Sequence, residues 1–573
     1  MSSVSKKSPP HKTTENGQAF KPANSYWPET HEVFNQPDIL QDYNLYEQDK
    51  ALKQAVWAHG GGWGEPELDQ FGEITGSAEV ITWGFQANEN KPTLHTHNPR
   101  GVRIDEVRFH PAYHELMRLS IREGLHGSHW SEPRPGAHVV RAAKSYMMTQ
   151  VEAGHGCPVT MTSASIPTLQ KQPDLYATWA PKILTREYDP RNLHHDQKKG
   201  LTIGMAMTEK QGGSDVRRNT TRACPLDHPG PGQAYELVGH KYFVSAPMSD
   251  AFLVLAQAEG GISCFLVPRW HPDGSQNPLQ ILCLKNKMGN ASNASSETEL
   301  RGALGWLVGE EGRGVAVILK MVAMTRFDCM VGSAAGMRQA VAQVTHHCSQ
   351  RSVFGHLLTE QRLMQNVLAD LILENEGAVA FAMRIAHSLD HPDDEHEQML
   401  MRMGTAVGKY WICKRAPGHA YEAMECIGGS AVMEDLIMAR LFRESPVNAI
   451  WEGSGNVQCL DMLRALHKSP ASLEAFHKEL SFAKGADRFL DQAITRINSE
   501  FARLDNVEYR ARSIVGRMAL AFQASTLFQY GDTGIAEAFC ASRLNPENQG
   551  WVYGTLPENI DCKTIIERGT PHI

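Results

Sequence analysis

The hydrophobic period of this chain changes twice, and the order of the changes limits the folds open to it. From about Tyr26 to Leu201 apolar residues recur at three and four, as in Ala112–Leu125 and Ala137–Val151, with a glycine loop at Gly60, Gly61 and Gly62. That spacing predicts helices. From Leu201 to Gly312 the pattern becomes short apolar or alternating runs, AYELVGHKYFVS, AFLVLAQA and ISCFLVP, broken by Gly, Pro, Asp or Ser. Such runs predict a sheet with tight turns. After Gly312 the helical period returns. Phe327, Met330, Ala334, Met337, Val341, Val344 and Cys348 form one apolar stripe on a long helix opened by Thr325 and Arg326, and helices follow over Glu360–Leu389 and Glu397–Ile427. The acidic stretch DHPDDEHE between those two is expected to be a solvated turn. Helical spacing resumes at Leu490, Ala493 and Ile497 and again at Ile514, Met518 and Phe522. The order helical, β, helical, helical contains no βαβ alternation and no internal repeat, so the expected class is α+β, mainly α.

With 573 residues the chain exceeds a single core. The expected division is a polar tail over 1–25, an N-terminal helical domain over 26–200, a middle β-domain over 201–312, a helical bundle over 313–460 and a C-terminal helical domain over 461–573. The tail, with Lys6, Lys7, Lys12 and Lys21 against Glu15, has no apolar stretch of a signal peptide. Eleven scattered cysteines without a CxxC pair suit a reducing compartment, and the cytoplasm is the expected location. No run of 18 apolar residues is present, so no membrane span is expected. The net charge of -8 excludes a wholly basic nucleic-acid coat but not a local basic patch. His110 and His114 lack a third ligand at informative spacing, and the pairs His194–His195 and His346–His347 are expected to point apart, so no metal site is expected.

Three constellations carry chemistry. MTEKQGGSD, over 207–215, stands where helix gives way to sheet; Gly212 and Gly213 let backbone amides approach a ligand, and Thr208 and Ser214 add hydroxyls. It reads as a cradle for a pyrophosphate or flavin edge, or as a plain loop before a strand. It is neither GxGxxG nor a P-loop. HCSQRSVFG puts Arg351 and Phe354 25 and 28 residues after Arg326, where an arginine meets a phosphate or caps terminal carbonyls. NAIWEGSGN places Trp451 and Glu452 before a Gly-Ser-Gly turn, with a helix starting near Val457. A carboxyl beside an indole is desolvated and raised toward a pKa useful for proton abstraction, although a lone glutamate there is also an ordinary cap.

Together with THEVFNQP, DEVRFHPA, LVGHKYFVS, KMGNASNASS and MTRFD, these segments resemble the acyl-CoA dehydrogenase family, and within it the alkylation-response flavoproteins of bacteria, from about Trp27 to the C-terminus. The resemblance implies an N-terminal helical domain, a middle β-barrel or sandwich, a helical bundle, an extra C-terminal helical domain and a homotetramer. It implies FAD held by Met207, Thr208, Gly213, Ser214, Phe243 and Ser245, the last two in place of the usual Trp and Thr. Arg351 and Phe354 would reach the FAD of a partner subunit. Glu425 stands where a Gln is usual, near Gly428 and Gly429, and Ser454 and Asn456 would meet the chain's own FAD. Glu452 matches the glutamate that removes the α-proton, while Thr325 occupies the alternative position from which some members supply a carboxylate.

The resemblance also implies weak dehydrogenation of short branched acyl-CoAs such as isovaleryl-CoA, and a double-stranded DNA partner in the alkylation-damage response. Candidate DNA contacts are Arg440, Arg443, Arg464, Lys468, Arg503, Arg510, Arg512 and Arg517. From Asp461 onward the chain carries 13 Lys/Arg and 14 Asp/Glu, so the last domain is not basic on average. The alternative is a metabolic short- or branched-chain acyl-CoA dehydrogenase without a DNA role.

Overall fold

The computed structural model describes residues 30–503, 505–548 and 552–572; the polar tail expected over 1–25 lies outside them. The N-terminal part contains helices α1 (Lys50–Ala58), α2 (Glu65–Gly76), α3 (Ala78–Glu89), α4 (Pro111–Arg122), α5 (Ser128–Ser131), α6 (Ala137–Val151), α7 (Gly156–Leu169) and α8 (Pro173–Ile183), with a hairpin of β1 (Thr93–His97) and β2 (Arg103–Arg108) between α3 and α4. The sheet follows, as β3 (Ile203–Ala206), β4 (Arg222–Pro225), β5 (Ala234–Ser245), β6 (Ala251–Ala258), β7 (Gly261–Pro268), β8 (Leu279–Leu284) and β9 (Ser295–Val308).

Strand β6 pairs with β4, β4 with β5, β5 with β9, β9 with β7, and β7 with β6 again, which closes the five strands into a barrel with β3 and β8 at its sides. Alternation along β6 explains how this barrel is held. Phe252, Val254 and Ala256 point into it, whereas Ala251, Leu253 and Leu255 pack outward on a second cluster with α7, α8 and the start of the following helix. A strand buried on both faces reads as a continuous apolar run, and AFLVLA is one.

That following helix, α9 (Gly314–Gln350), is the longest element. It begins 11 residues before Thr325, the position the sequence marks as its start. The apolar run GVAVILKMVAM has no side-chain N-cap to announce a helix, and its stripe faces the barrel through Val317, Ile318 and Met321. A two-stranded hairpin, β10 (Ser352–Val353) and β11 (His356–Leu357), leads to α10 (Arg362–Leu389) and α11 (Glu395–Ile427), which pack on α9. The chain closes with α12 (Ile437–Glu444), α13 (Gly455–Lys468), α14 (Ala471–Ser481), α15 (Arg488–Phe501), α16 (Val507–Tyr530), α17 (Thr533–Phe539) and α18 (Cys562–Gly569).

Buried ion pairs tie the last helices to the bundle. Arg384 of α10 bonds Glu397 and Glu479, the latter on α14, and Arg543 bonds Asp370 and Glu374. The acidic stretch before α11 is therefore not simply solvated. Asp390 accepts from the amides of His138 and Val139 at the start of α6, Asp394 caps α11, and Glu397 is buried on Arg384. The rings of His194 and His195 do not point apart: their centroids are 4.1 Å apart and Asp196 Oδ1 is 3.4 Å from His195 Nε2. Lys182 donates to the carbonyls of His195 and Asp196, placing a cation beside this group. The eleven cysteines are unpaired, and no described helix is long and apolar enough to cross a membrane.

One buried carboxyl gives a stability test. Glu444, beside Arg440, Arg443 and Glu152, is pushed up to about 8 by burial, and its Oε1 has no partner. The folded state holds a proton that the unfolded chain, with a carboxyl near ~4.3, releases, so stability falls as pH rises between those values. Glu444→Gln keeps the volume and removes the ionisation. Its melting temperature should exceed that of the native chain at pH 8, with the gap closing toward pH 5; parallel profiles would refute this.

Candidate active site

The segment carrying Glu452 lies between a turn of 3₁₀ helix at Val447–Ala449 and α13. Glu452 has φ 58°, a left-handed conformation that a non-glycine residue adopts only where its surroundings enforce it, and Gly453 follows at φ 99°. The enforcing contacts are visible. Lys409 of α11 donates to Trp451 O at 2.7 Å and Gly453 O at 2.6 Å. Arg326 Nε donates to Glu452 O at 2.9 Å, and Gln458 Nε2 reaches Gly453 O at 2.9 Å. Arg326 is itself held by Asp461, which Arg402 also grips. Trp451 and Met207 both pack against the cluster that contains Cys157, Met161, Ala246 and Met324, and the Trp451 indole donates to Asn448 at 3.0 Å.

The Glu452 side chain meets Thr325, whose Oγ1 lies 2.9 Å from Oε2 and 3.1 Å from Val322 O. Burial pushes the carboxyl above its usual range, opposed by the Thr325 hydroxyl and by Lys409 and Arg326. Part of Glu452 remains accessible. A hydroxyl has one proton and here two acceptors. When Glu452 is ionised, Thr325 donates to it. When Glu452 carries a proton, the carboxyl donates to Thr325 and the hydroxyl turns to Val322. Both charge states of the acid are satisfied without moving a heavy atom.

The loop over 207–215 stands against the same place. Glu209, fully buried and held down to about 2 despite its desolvation, by Lys241 above all, accepts from Lys241 Nζ at 2.8 Å and from the amides of Thr220 and Thr221. Thr208 O accepts from Tyr242 N, and a Cβ on Gly213 would lie 3.0 Å from the Thr208 methyl and hydroxyl. The β5–β9 register shifts between Lys241 and Val244. This bulge turns Phe243 outward, 44% exposed, while Ser245 pairs with Ser295 at 3.2 Å. Cys157 lies within reach of Ser245, Asn293, Lys287 and Glu452. The loop carrying Met207, Thr208 and Gly213 is thus tied to the β5 bulge carrying Phe243 and Ser245, and Cys157 connects Ser245 to the surroundings of Glu452. Ser214 is exposed at the loop tip.

Ser454 and Asn456 open α13 beside the Glu452 turn, where Arg512 reaches Tyr410 and Asn456. Arg351, Phe354, Glu425, Gly428 and Gly429 are elsewhere. Arg351 ends α9 and binds Asn35; Phe354, at φ 55° and 93% exposed, and Gly355, at φ 84°, form the tip of the β10–β11 hairpin. Cys348 neighbours Cys426, which brings the hairpin beside the end of α11, where Glu425 is exposed and Gly428 has φ 83°. Thr325 and Arg351 are 26 residues apart along a nearly unbroken helix, roughly 39 Å at ~1.5 Å per residue. Two groups at that separation do not touch one flavin in one chain.

Of the arginines assigned to DNA, Arg440 is a correction. It is 5% exposed, donates to Val151 O and stacks over Phe85, because α12 turns its cationic face into the N-terminal helices. Arg443 pairs with Glu434, and Arg510 and Arg517 both pair with Glu500. Arg464, Lys468 and Arg503 are exposed. Sequence reasoning missed Lys409, Glu209 and Gln458; a lysine inside the apolar stretch AVGKYWIC was the one available signal.

Three family models match the chain: the adaptive response protein AidB N-terminal domain over 35–190, the acyl-CoA dehydrogenase middle domain over 204–303 and the acyl-CoA dehydrogenase C-terminal domain over 312–467. The chain is 44% identical to AidB of Escherichia coli K12 over 522 residues, 91% of this chain and 95% of that protein. Caenorhabditis elegans ACDH-11, solved in complex with C11-CoA, matches with a TM-score of 0.83 and 25% identity over 91% of this chain and 94% of its own. An acyl-CoA dehydrogenase of Bacillus anthracis complexed with FAD shares the fold, with a TM-score of 0.61 and 18% identity over 75% of this chain and 80% of that one. The chain belongs to the acyl-CoA dehydrogenase family.

The hydroxyl arrangement is testable directly. Removing a donor to the carboxylate raises its pKa further. In Thr325→Val the Glu452 carboxyl should titrate at higher pH than in the native chain, followed by the infrared carboxyl band that Glu452→Gln deletes. An unmoved titration would remove Thr325 from this role.

Proposed function

We propose that this acyl-CoA dehydrogenase family member is an FAD-dependent oxidoreductase of small acyl-CoA thioesters, with Glu452 as the base. The observation that carries this reading is a desolvated, partly accessible carboxyl on a strained turn, hydrogen-bonded to Thr325 and close to Cys157, which Ser245 of the β5 bulge also reaches. The chain's own groups fit a flavin there. Phe243 presents an aromatic face, and both ends of the Asn293 amide, 1% exposed, have no partner among the described residues. Met207, Thr208, Gly213, Ser214, Phe243, Ser245, Ser454 and Asn456 would hold it.

A bound FAD would supply the acceptor for the β-hydride of the acyl group. Glu452 takes the α-proton onto Oε2, and the Cα–Cβ bond of the thioester becomes double. The raised pKa of Glu452 strengthens it as a base. As the proton arrives, Thr325 turns its hydroxyl to Val322 O and accepts from the new carboxylic acid. Arg351, Phe354, Glu425, Gly428 and Gly429, at the far end of α9, would serve the flavin of a neighbouring subunit in a homotetramer. The specific acyl group proposed is short and branched, as in isovaleryl-CoA, with weak turnover.

The purified protein should show a flavin spectrum that an acyl-CoA series bleaches without oxygen. Glu452→Gln should slow bleaching by about 100-fold or more while retaining FAD. Equal bleaching by the variant would remove Glu452 from its role.

A second reading, double-stranded DNA association in an alkylation response, is supported by the match of residues 35–190 to the N-terminal domain of an adaptive response protein and by the exposed cations Arg464, Lys468 and Arg503. Phosphate contacts of this kind give binding that weakens steeply with salt and ignores sequence. Replacing these three with Gln should flatten the salt dependence of duplex binding in a fluorescence-anisotropy titration. Salt-independent binding by the native chain would sink this reading.

A further inference from the structure

Lys409 sits in the middle of α11 with buried Val407, Gly408, Ile412 and Cys413 around it, and is itself 1% exposed. A buried ammonium is costly unless polar groups replace its water. Here the replacements are two backbone carbonyls, Trp451 O at 2.7 Å and Gly453 O at 2.6 Å, and these belong to the residues on either side of Glu452. No carboxylate lies within ion-pair distance of Lys409 among the described residues.

The placement has a geometric consequence. Two carbonyls gripped by one ammonium tie the 451–452 peptide to the 453–454 peptide across Glu452 and Gly453, while Arg326 holds the Glu452 carbonyl between them, and this bridged turn suits the φ of 58° that Glu452 adopts. The Cα–Cβ direction of Glu452 follows from the peptide before it, held by Lys409, and the peptide after it, held by Arg326, and it brings the carboxyl to Thr325. Without the ammonium, Trp451 O loses its donor, Gly453 O keeps only Gln458, and the left-handed turn loses the contact that bridges its two sides. Arg326 and Gln458 hold the turn from Glu452 O and Gly453 O, but neither reaches Trp451 O.

We propose that Lys409 is the positioning residue of the base: through the Trp451 and Gly453 carbonyls it holds Glu452 in the one backbone conformation that presents its carboxyl to the substrate α-carbon. This rests on the reading of Glu452 as the base. The groups facing that carboxyl are Thr325 and Arg326 from α9, Lys409 from α11 and Cys157 from α7. Arg326 and Lys409 are the cations among them, so losing Lys409 also moves the carboxyl upward.

The test isolates proton removal from hydride transfer. The FAD-loaded protein is incubated in deuterium oxide with an acyl-CoA carrying sulfur at its β-position, which has an α-proton and no β-hydride, and deuterium uptake at the α-carbon is followed by NMR across pH. Lys409→Met should retain FAD with a dissociation constant within about 3-fold, exchange about 100-fold more slowly, as a misplaced base does, and show its acid limb at higher pH. In Lys409→Ala, added propylammonium should restore exchange saturably by entering the vacated slot. A native chain with no exchange removes Glu452 as base and this inference with it. A native chain that exchanges and a Lys409→Met chain that matches it in rate and pH profile overturn this inference alone. Variants that lose the fold, with no rescue by propylammonium, assign Lys409 to stability and overturn it as well.

Discussion

One helix sets the distances on which the remaining structure depends. α9 runs unbroken from Gly314 to Gln350 and meets every part of the molecule in turn. Its first turns seal the barrel through Val317, Ile318 and Met321. Thr325 and Arg326 face the Glu452 turn, Asp328 binds Arg141 of α6 and Thr160 of α7, and Arg338 reaches Asp49 and the carbonyl of Gly569. A helix is stiff, with a fixed rise per residue. Glu452 and the Phe354 hairpin therefore stand apart by a length that no side-chain rearrangement can shorten, and the proposed sharing of a cofactor between two chains follows from that length.

Much of this was legible in the amino-acid order. The barrel announced itself in AYELVGHKYFVS and AFLVLAQA because strands buried on one or both faces leave a period of two or an apolar run. The glycine pairs at 212–213 and 428–429 marked real turns or loops. The start of α9 was hidden: GVAVILKMVAM has no side-chain cap, and the face it leaves to solvent, Ala316, Leu319 and Lys320, is mostly apolar. Also hidden was the conformation of Glu452. A positive φ before glycine leaves no mark on the sequence when the residues enforcing it, Lys409 and Arg326, lie 43 and 126 positions away. Such contacts arise from tertiary packing, to which local spacing is blind.

The polar residues of the interior divide by what they hold. Glu209 with Lys241 anchors the loop over 207–215, and Arg384 with Glu397 and Glu479 anchors α14 to the bundle. Removing one partner of such a pair leaves an uncompensated charge, which is far more damaging than the pair is stabilising. The Glu452 turn is built differently: its cations bind backbone carbonyls and leave the carboxyl with a single hydroxyl partner. A direct bond from a buried cation would pull the carboxyl downward, as Lys241 does for Glu209. Engaging the cations on the backbone keeps Glu452 fixed in place and still basic.

The same distinction bears on charge at the surface. A net charge of -8 does not decide whether a polyanion binds, and the structure narrows the cations available for it. Arg440 is buried, Arg510 and Arg517 share Glu500, and Arg512 lies against Tyr410 and Asn456 beside the base-bearing turn. An arginine already satisfied by a carboxylate contributes little to phosphate binding, because the pair must first be broken. Of the candidates named from the sequence, those that remain exposed and unpaired among the described residues are Arg464 and Lys468 on α13 and Arg503 after α15. Since α13 begins at the Glu452 turn, any polyanion held by Arg464 and Lys468 would sit on the helix that follows the base. The two proposed activities would then meet at one element, whose first turn faces the site and whose last turn carries the cations.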